Sequence, residues 1–152
     1  MLNLNKTEKE EMTEKEAFSL IKEWADSLEV RLRGDDFEDL QNELWFAVKK
    51  ERLIFDSGKE VFTYTLKKPI EFKDKSGSLS IIKILESDMN DKKDIAKHKD
   101  IDAVIEMFGA YCRDSEGEKI PSGFLSRIKD RDQAIISAVI LGFFVQVVPS
   151  QK

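Results

Sequence analysis

Apolar positions along this chain recur first at helical spacing, then in alternation, then at helical spacing again. Residues 1–12 carry no apolar period and are expected to form a disordered tail. Thr13-x-x-Glu16 then fits a capping box, and Ala17, Phe18, Ile21, Trp24, Ala25 and Leu28 fall on one helical face. Gly34 interrupts that stripe; Asp35 or Asp36 is placed to cap a second amphipathic helix through Phe37, Leu40, Leu44, Ala47 and Val48. The pattern predicts a helical hairpin over 13–56, packed on the remainder.

Alternation begins at Arg52. RLIF, DSGK and EVFTYTL predict a strand, a turn set by Gly58, and a second strand; PIEFK, DKSG and SLSIIKI repeat the arrangement, with Pro69 opening a strand. The expectation is a small antiparallel β-meander of three or four strands. Helical spacing returns after Ser87 or Asp88, which can cap the segment that follows. Ile101, Val104, Ile105, Phe108, Tyr111 and Cys112 then mark a core stripe, and Asp130-x-x-Gln133 resembles a cap before the final apolar segment, IISAVILGFFVQVV. The fold class is therefore α+β: an N-terminal helical hairpin, a small antiparallel meander, then C-terminal helices. Residues 57–152 form the α+β region, and with the hairpin they make one folding unit.

The final segment raises the functional question. Ile135, Ile136, Val139, Ile140, Phe143 and Val147 cover one side of a helical wheel; Ala134, Ala138, Leu141, Val145 and Val148 cover the other. A helix apolar nearly all round must be covered on both sides, by the hairpin, by a partner or by a second copy. Ile136, Val139, Ile140 and Phe143 are expected in the protein's own core, whereas Phe144, Val145 and Val148 lie on the less committed side and are the candidate partner-binding residues. Phe46, on the side of its helix opposite Phe37 and Leu44, has two expected uses: core closure against the meander, and a partner-facing aromatic.

Composition narrows the classes of function. Thirty acidic against twenty-five basic residues give a net charge of -5, which disfavours nucleic acid as the main partner. One cysteine and one histidine exclude an intrachain disulfide and a zinc cage of Cys/His type. The polar start lacks the apolar run of an export signal, and the final apolar segment is shorter than the roughly 20 residues that span a bilayer, so a cytoplasmic protein off the membrane is expected. Candidate chemistry is sparse. His98 sits among charges; Asp88, Asp91 and Asp94 suit a helix start; the Asp114, Glu116, Glu118 loop lacks calcium-loop spacing; Asp130 has a capping role, and basic neighbours surround its pair with Asp132. No catalytic set, metal ligands or cofactor site is expected.

YTLKKPIEF (64–72), SLSIIKILE, SDMND and FLSRIKDRDQAIISAVILGFF (124–144) resemble the small tail assembly chaperones of tailed bacteriophages. The shared elements are a strand ending in Leu66-x-x-Pro69-Ile70, a helix begun at an Asp, and a closing helix preceded by Ile128-x-x-x-Asp132. The resemblance covers roughly residues 60–148. Ile128 stands where the family favours Leu, and the N-terminal helices have no counterpart. The resemblance implies a non-enzymatic protein of the host cytoplasm, without cofactor, that binds the apolar helical tape-measure protein while the tail assembles. Self-association into a homo-oligomer is the other expected contact. The alternatives are a structural component of the phage tail particle and, from a different class, a metal-dependent enzyme using the acidic positions around Asp88 or Asp114.

Overall fold

The structure, a computed structural model, describes residues 12–72, 77–87 and 100–145. Two helices, α1 (Glu14–Ser27) and α2 (Gly34–Lys49), precede strands β1 (Leu53–Asp56), β2 (Val61–Glu71) and β3 (Ser78–Ile84). Helix α3 (Asp100–Tyr111), strand β4 (Cys112–Arg113), and helices α4 (Ser122–Leu125) and α5 (Asp130–Val139) follow, and a π-helical turn, Ile140–Phe144, closes the described chain. The strands form one antiparallel sheet in the order β1-β2-β3-β4. This is the α+β arrangement that the change of period predicts. Among the described residues no helix is long and apolar enough to cross a membrane.

The hairpin begins as expected. Thr13 Oγ1 accepts from Glu16 N–H at 3.1 Å while Glu16 Oε1 accepts from Thr13 N–H at 2.9 Å, the reciprocal capping box. Both helices end on a glutamate where glycine is usual. Glu29 and Glu51 hold φ of 59° and 60°, and the following N–H groups reach back to close each helix: Val30 to Ala25 O and Arg52 to Ala47 O, both at 2.9 Å. Helix α1 thus stops at Ser27, ahead of Gly34. No side chain caps α2: Arg33 is its N-cap residue, and Asp35 and Asp36 lie inside the first turn, where their charge suits the helix dipole.

The first β-turn departs from its expected chemistry. Gly58 does not supply the left-handed residue; Glu60 does, at φ 58°, and Asp56 Oδ1 accepts from the N–H groups of Gly58 and Lys59 at 3.0 and 3.2 Å. Pro69 does not open a strand either. Strand β2 runs through it, and between the pairs Thr65↔Ile81 and Ile70↔Leu79 four residues, Leu66 to Pro69, oppose the single Ser80. This bulge is where a residue without an N–H is tolerated inside a sheet.

One face of the sheet carries Leu53, Phe62, Tyr64, Leu66, Ile82 and Ile84, all buried under the helices in a single apolar cluster with Ile21, Trp24, Leu44 and Val48 of the hairpin. The Phe62 ring is the hub, with centroids 5.6 Å from Trp24, 4.5 Å from Phe55 and 4.7 Å from Phe143. Ile54, on the opposite face, is 53% exposed. Phe108 and Tyr111 are buried as expected, and so is Cys112, although it opens β4 instead of continuing the helix.

The final apolar segment is not one regular helix. Ile136, Val139, Ile140 and Phe143 all lie in the core, as expected. At Ile140 the α-helix widens into the π turn, closed by Val145 N–H to Ile140 O at 2.8 Å. Gly142 there lies so close to α2 that a Cβ would stand 2.5 Å from Leu40 Cδ1. The hairpin thus packs on the segment at Gly142, while of the segment's second side Ala134 and Leu141 are exposed, Leu141 by 48%, Ala138 and Val145 are half-buried, and Val148 lies outside the described residues.

Candidate interaction surfaces

The buried polar group that organises the chain is Asp132. It is 0% exposed, alone among the charged side chains of the described residues in being buried, and it occupies the first turn of α5. Its Oδ1 accepts from the Tyr64 hydroxyl at 2.6 Å and from Lys67 N–H at 2.9 Å; Oδ2 accepts from Lys68 N–H at 3.1 Å. The β2 bulge takes those two N–H groups out of the ladder, and the carboxylate receives them. Burial first, and the bond to Asp132 second, push the Tyr64 phenol above its ordinary pKa. Leu66-x-x-Pro69-Ile70 and Ile128-x-x-x-Asp132 thus meet in space. The expectation that Asp130 caps α5 and that basic side chains offset its pair with Asp132 is corrected: Lys129 is the N-cap residue, Asp130 is exposed, and only Asp132 is engaged with β2. The signal was present in the sequence, since Asp132 falls in the apolar stripe of Ile128, Ile136 and Val139. With its oxygens committed to these donors, Asp132 is a structural acceptor.

Phe46 does not close the core. It is 55% exposed on the outer face of α2, with Lys50 Nζ 5.4 Å from its ring centroid. Trp45 lies edge-on to it at 5.5 Å and to Phe18 of α1 at 6.3 Å, so three aromatic rings step from half-buried Phe18 and Trp45 to exposed Phe46. Phe144 sits elsewhere, half-buried, with its ring 5.9 Å from Phe62 and 6.1 Å from Tyr111. Val145 is also half-buried against the core. Val148 lies outside the described residues. The candidate partner-binding residues therefore do not share one described cluster: Phe46 belongs to the hairpin strip, Phe144 to the sheet's aromatic hub.

Beside Phe144 opens a pocket of about 240 Å³, lined by Ser27, Leu28, Glu29, Glu60, Glu86, Phe143 and Phe144. The other chemical candidates separate further. Asp114 Oδ1 accepts from Glu116 and Glu118 N–H, each at 2.9 Å, which makes the acidic loop a self-capped turn about Gly117 at φ 85°. Burial pushes the Cys112 thiol up, away from thiolate chemistry. His98, Asp88, Asp91 and Asp94 lie outside the described residues. Among the described residues no cluster of His, Cys, Asp and Glu is arranged to hold a metal ion.

No family model, curated protein or solved structure matches the chain.

Proposed function

We propose that this protein is a non-enzymatic tail assembly chaperone of a phage or prophage, acting in the host cytoplasm by holding the apolar helical tape-measure protein. The observation that carries the reading is the Phe18, Trp45, Phe46 strip. Its outermost ring is a large exposed aromatic fixed on a rigid helical hairpin, the kind of anchor that dominates protein-binding surfaces. An apolar helix laid in a groove would bury such a ring. Further support comes from Asp132, which joins into one structural device the two segments that carry the family resemblance. Phe144 and Val145, beside the open pocket, are the second contact in this reading.

The test is co-expression with the longest apolar helical protein encoded beside this gene. Wild-type protein should keep that partner in the soluble fraction, and Phe46→Ser should lose much of this effect while staying folded. If wild-type protein leaves the partner insoluble, the chaperone reading fails. If Phe46→Ser works as well as wild type, the strip is not the binding surface. Presence of the protein in purified particles would favour the structural-component reading.

A further inference from the structure

Two surfaces of opposite charge lie at opposite ends of the β2 and α5 pair. At the bulge end, Asp132 draws Lys67 and Lys68 against the first turn of α5, where Lys129 and Arg131 flank it in sequence. Arg127 joins them, its guanidinium donating to Glu71 O at 3.1 Å. All five cations are exposed, and none forms a salt bridge with a described residue. Against them stand the exposed Glu71 and Asp130 and the buried Asp132 carboxylate, so five positive and three negative charges leave a local excess of two on a chain whose total is -5.

At the far end lies the pocket, whose lining includes Glu29, Glu60 and Glu86 and no cation, and whose accessible surface is mostly polar. From Glu60 to Lys67 the strand covers about 23 Å at about 3.3 Å per residue. The walk from Asp132 to Phe144 along the helix is about 18 Å at about 1.5 Å per residue. Both spans exceed the screening length of about 8–10 Å at moderate salt, so the two ends of one copy cannot neutralise each other. Between copies they can.

We propose that the basic end of one copy docks in the acidic pocket of a second copy, so that the chain associates head to tail. A lysine or arginine entering the pocket places its charge beside three acidic residues. Like ends repel, which disfavours a two-fold dimer through either surface. The contact is heterologous and propagates as a ring or an open filament. A second copy is the occupant because the complementary surface is carried on the chain itself, whereas the overall negative charge repels a polyanion.

The experiment is sedimentation velocity on the full chain over a range of concentration, at low and high salt, with circular dichroism as the fold control. Wild type should form species larger than a dimer at low salt and dissociate as salt rises. Lys67→Glu with Lys68→Glu and Arg131→Glu, or separately Glu60→Lys with Glu86→Lys, should each weaken association by at least about tenfold. Both sets combined in one chain should restore it, which a merely structural effect of the substitutions would not do. If any set misfolds, the corresponding Gln variants replace it, with the same weakening expected. A monomer at every concentration in low salt, association indifferent to these charges, sensitivity to one end only, or a combined variant that stays monomeric would each overturn the proposal. Phe46→Ser should leave this association unchanged, which separates it from the chaperone reading.

Discussion

Asp132→Ala should be among the most damaging substitutions of a charged residue in this protein. It strands three donors at once: the Tyr64 hydroxyl, which is buried, and the Lys67 and Lys68 N–H groups, which are part-buried and can be partly recovered by water. A stranded buried donor costs about 1–3 kcal/mol, so with water taking some of the load the loss is about 3–5 kcal/mol. For a domain of this size that lowers the Tm by roughly 8–16 °C. Asp132→Asn keeps the shape and one acceptor oxygen but points an amide N–H₂ at one of the donors, which places it at about 1.5–3 kcal/mol. Tyr64→Phe removes one donor and leaves the carboxylate two, at about 1 kcal/mol. Urea unfolding followed by circular dichroism would give the three values, and a double-mutant cycle of Tyr64→Phe with Asp132→Ala should return a coupling on the order of 1 kcal/mol. An Asp132→Ala variant within about 0.5 kcal/mol of wild type, or one less damaging than Tyr64→Phe, would refute the assignment of Asp132 as the acceptor that holds α5 to the bulge.

Gly142→Ala should cost about 1–3 kcal/mol in the same assay, because its Cβ would overlap Leu40, and Leu40→Ala in the same chain should recover part of the loss. Glu51→Gly should be neutral or stabilising by up to about 1 kcal/mol, since it relieves a left-handed residue at the end of α2; a clear loss would mean that the Glu51 side chain has a role of its own. Stability should fall as pH rises into the alkaline range. The buried Cys112 thiol and Tyr64 phenol both have folded pKa values raised above their unfolded ones, so the unfolded chain releases its protons first. The decline should begin near the unfolded thiol value of about 8.5, steepen above about 10, and lose its first stage in Cys112→Ala.

The α+β order was legible because three sources of period are independent of detail: helical stripes, alternation and the capping box at Thr13 all survive in the structure. What was not legible lies where local rules are satisfied by unusual residues. Glutamates occupy two helix ends and one turn position that glycine normally takes, so the glycine signals at Gly34 and Gly58 do not mark the left-handed residues Glu29, Glu51 and Glu60. Pro69 reads as the start of a strand because a proline inside a paired strand normally breaks it; only the bulge, which depends on an acceptor 63 residues later in the chain, makes the position tolerable. Asp132 itself reads in the sequence as half of a carboxylate pair with Asp130, offset by Arg127, Lys129 and Arg131. A polar residue that interrupts an apolar stripe while sitting in its register is the pattern that would have marked it.

The same reasoning bears on the segment Ile140–Phe144. A continuous α-helix through the apolar run distributes bulky residues around the wheel and leaves a whole second side in need of cover. The π turn changes that geometry with one glycine and one extra residue per turn: Phe143 and Phe144 both reach the ring of Phe62, Gly142 lets Leu40 close over the backbone, and Leu141 is the large side chain left outside. The hairpin is thus tied to the final segment at the backbone level and not by side-chain burial alone. A surface meant to receive an apolar partner does not then require the last helix to be bare. It requires the hairpin to be held rigidly enough that Phe46 stands out from it, and the contact between Leu40 and Gly142 fixes the face of α2 opposite that ring.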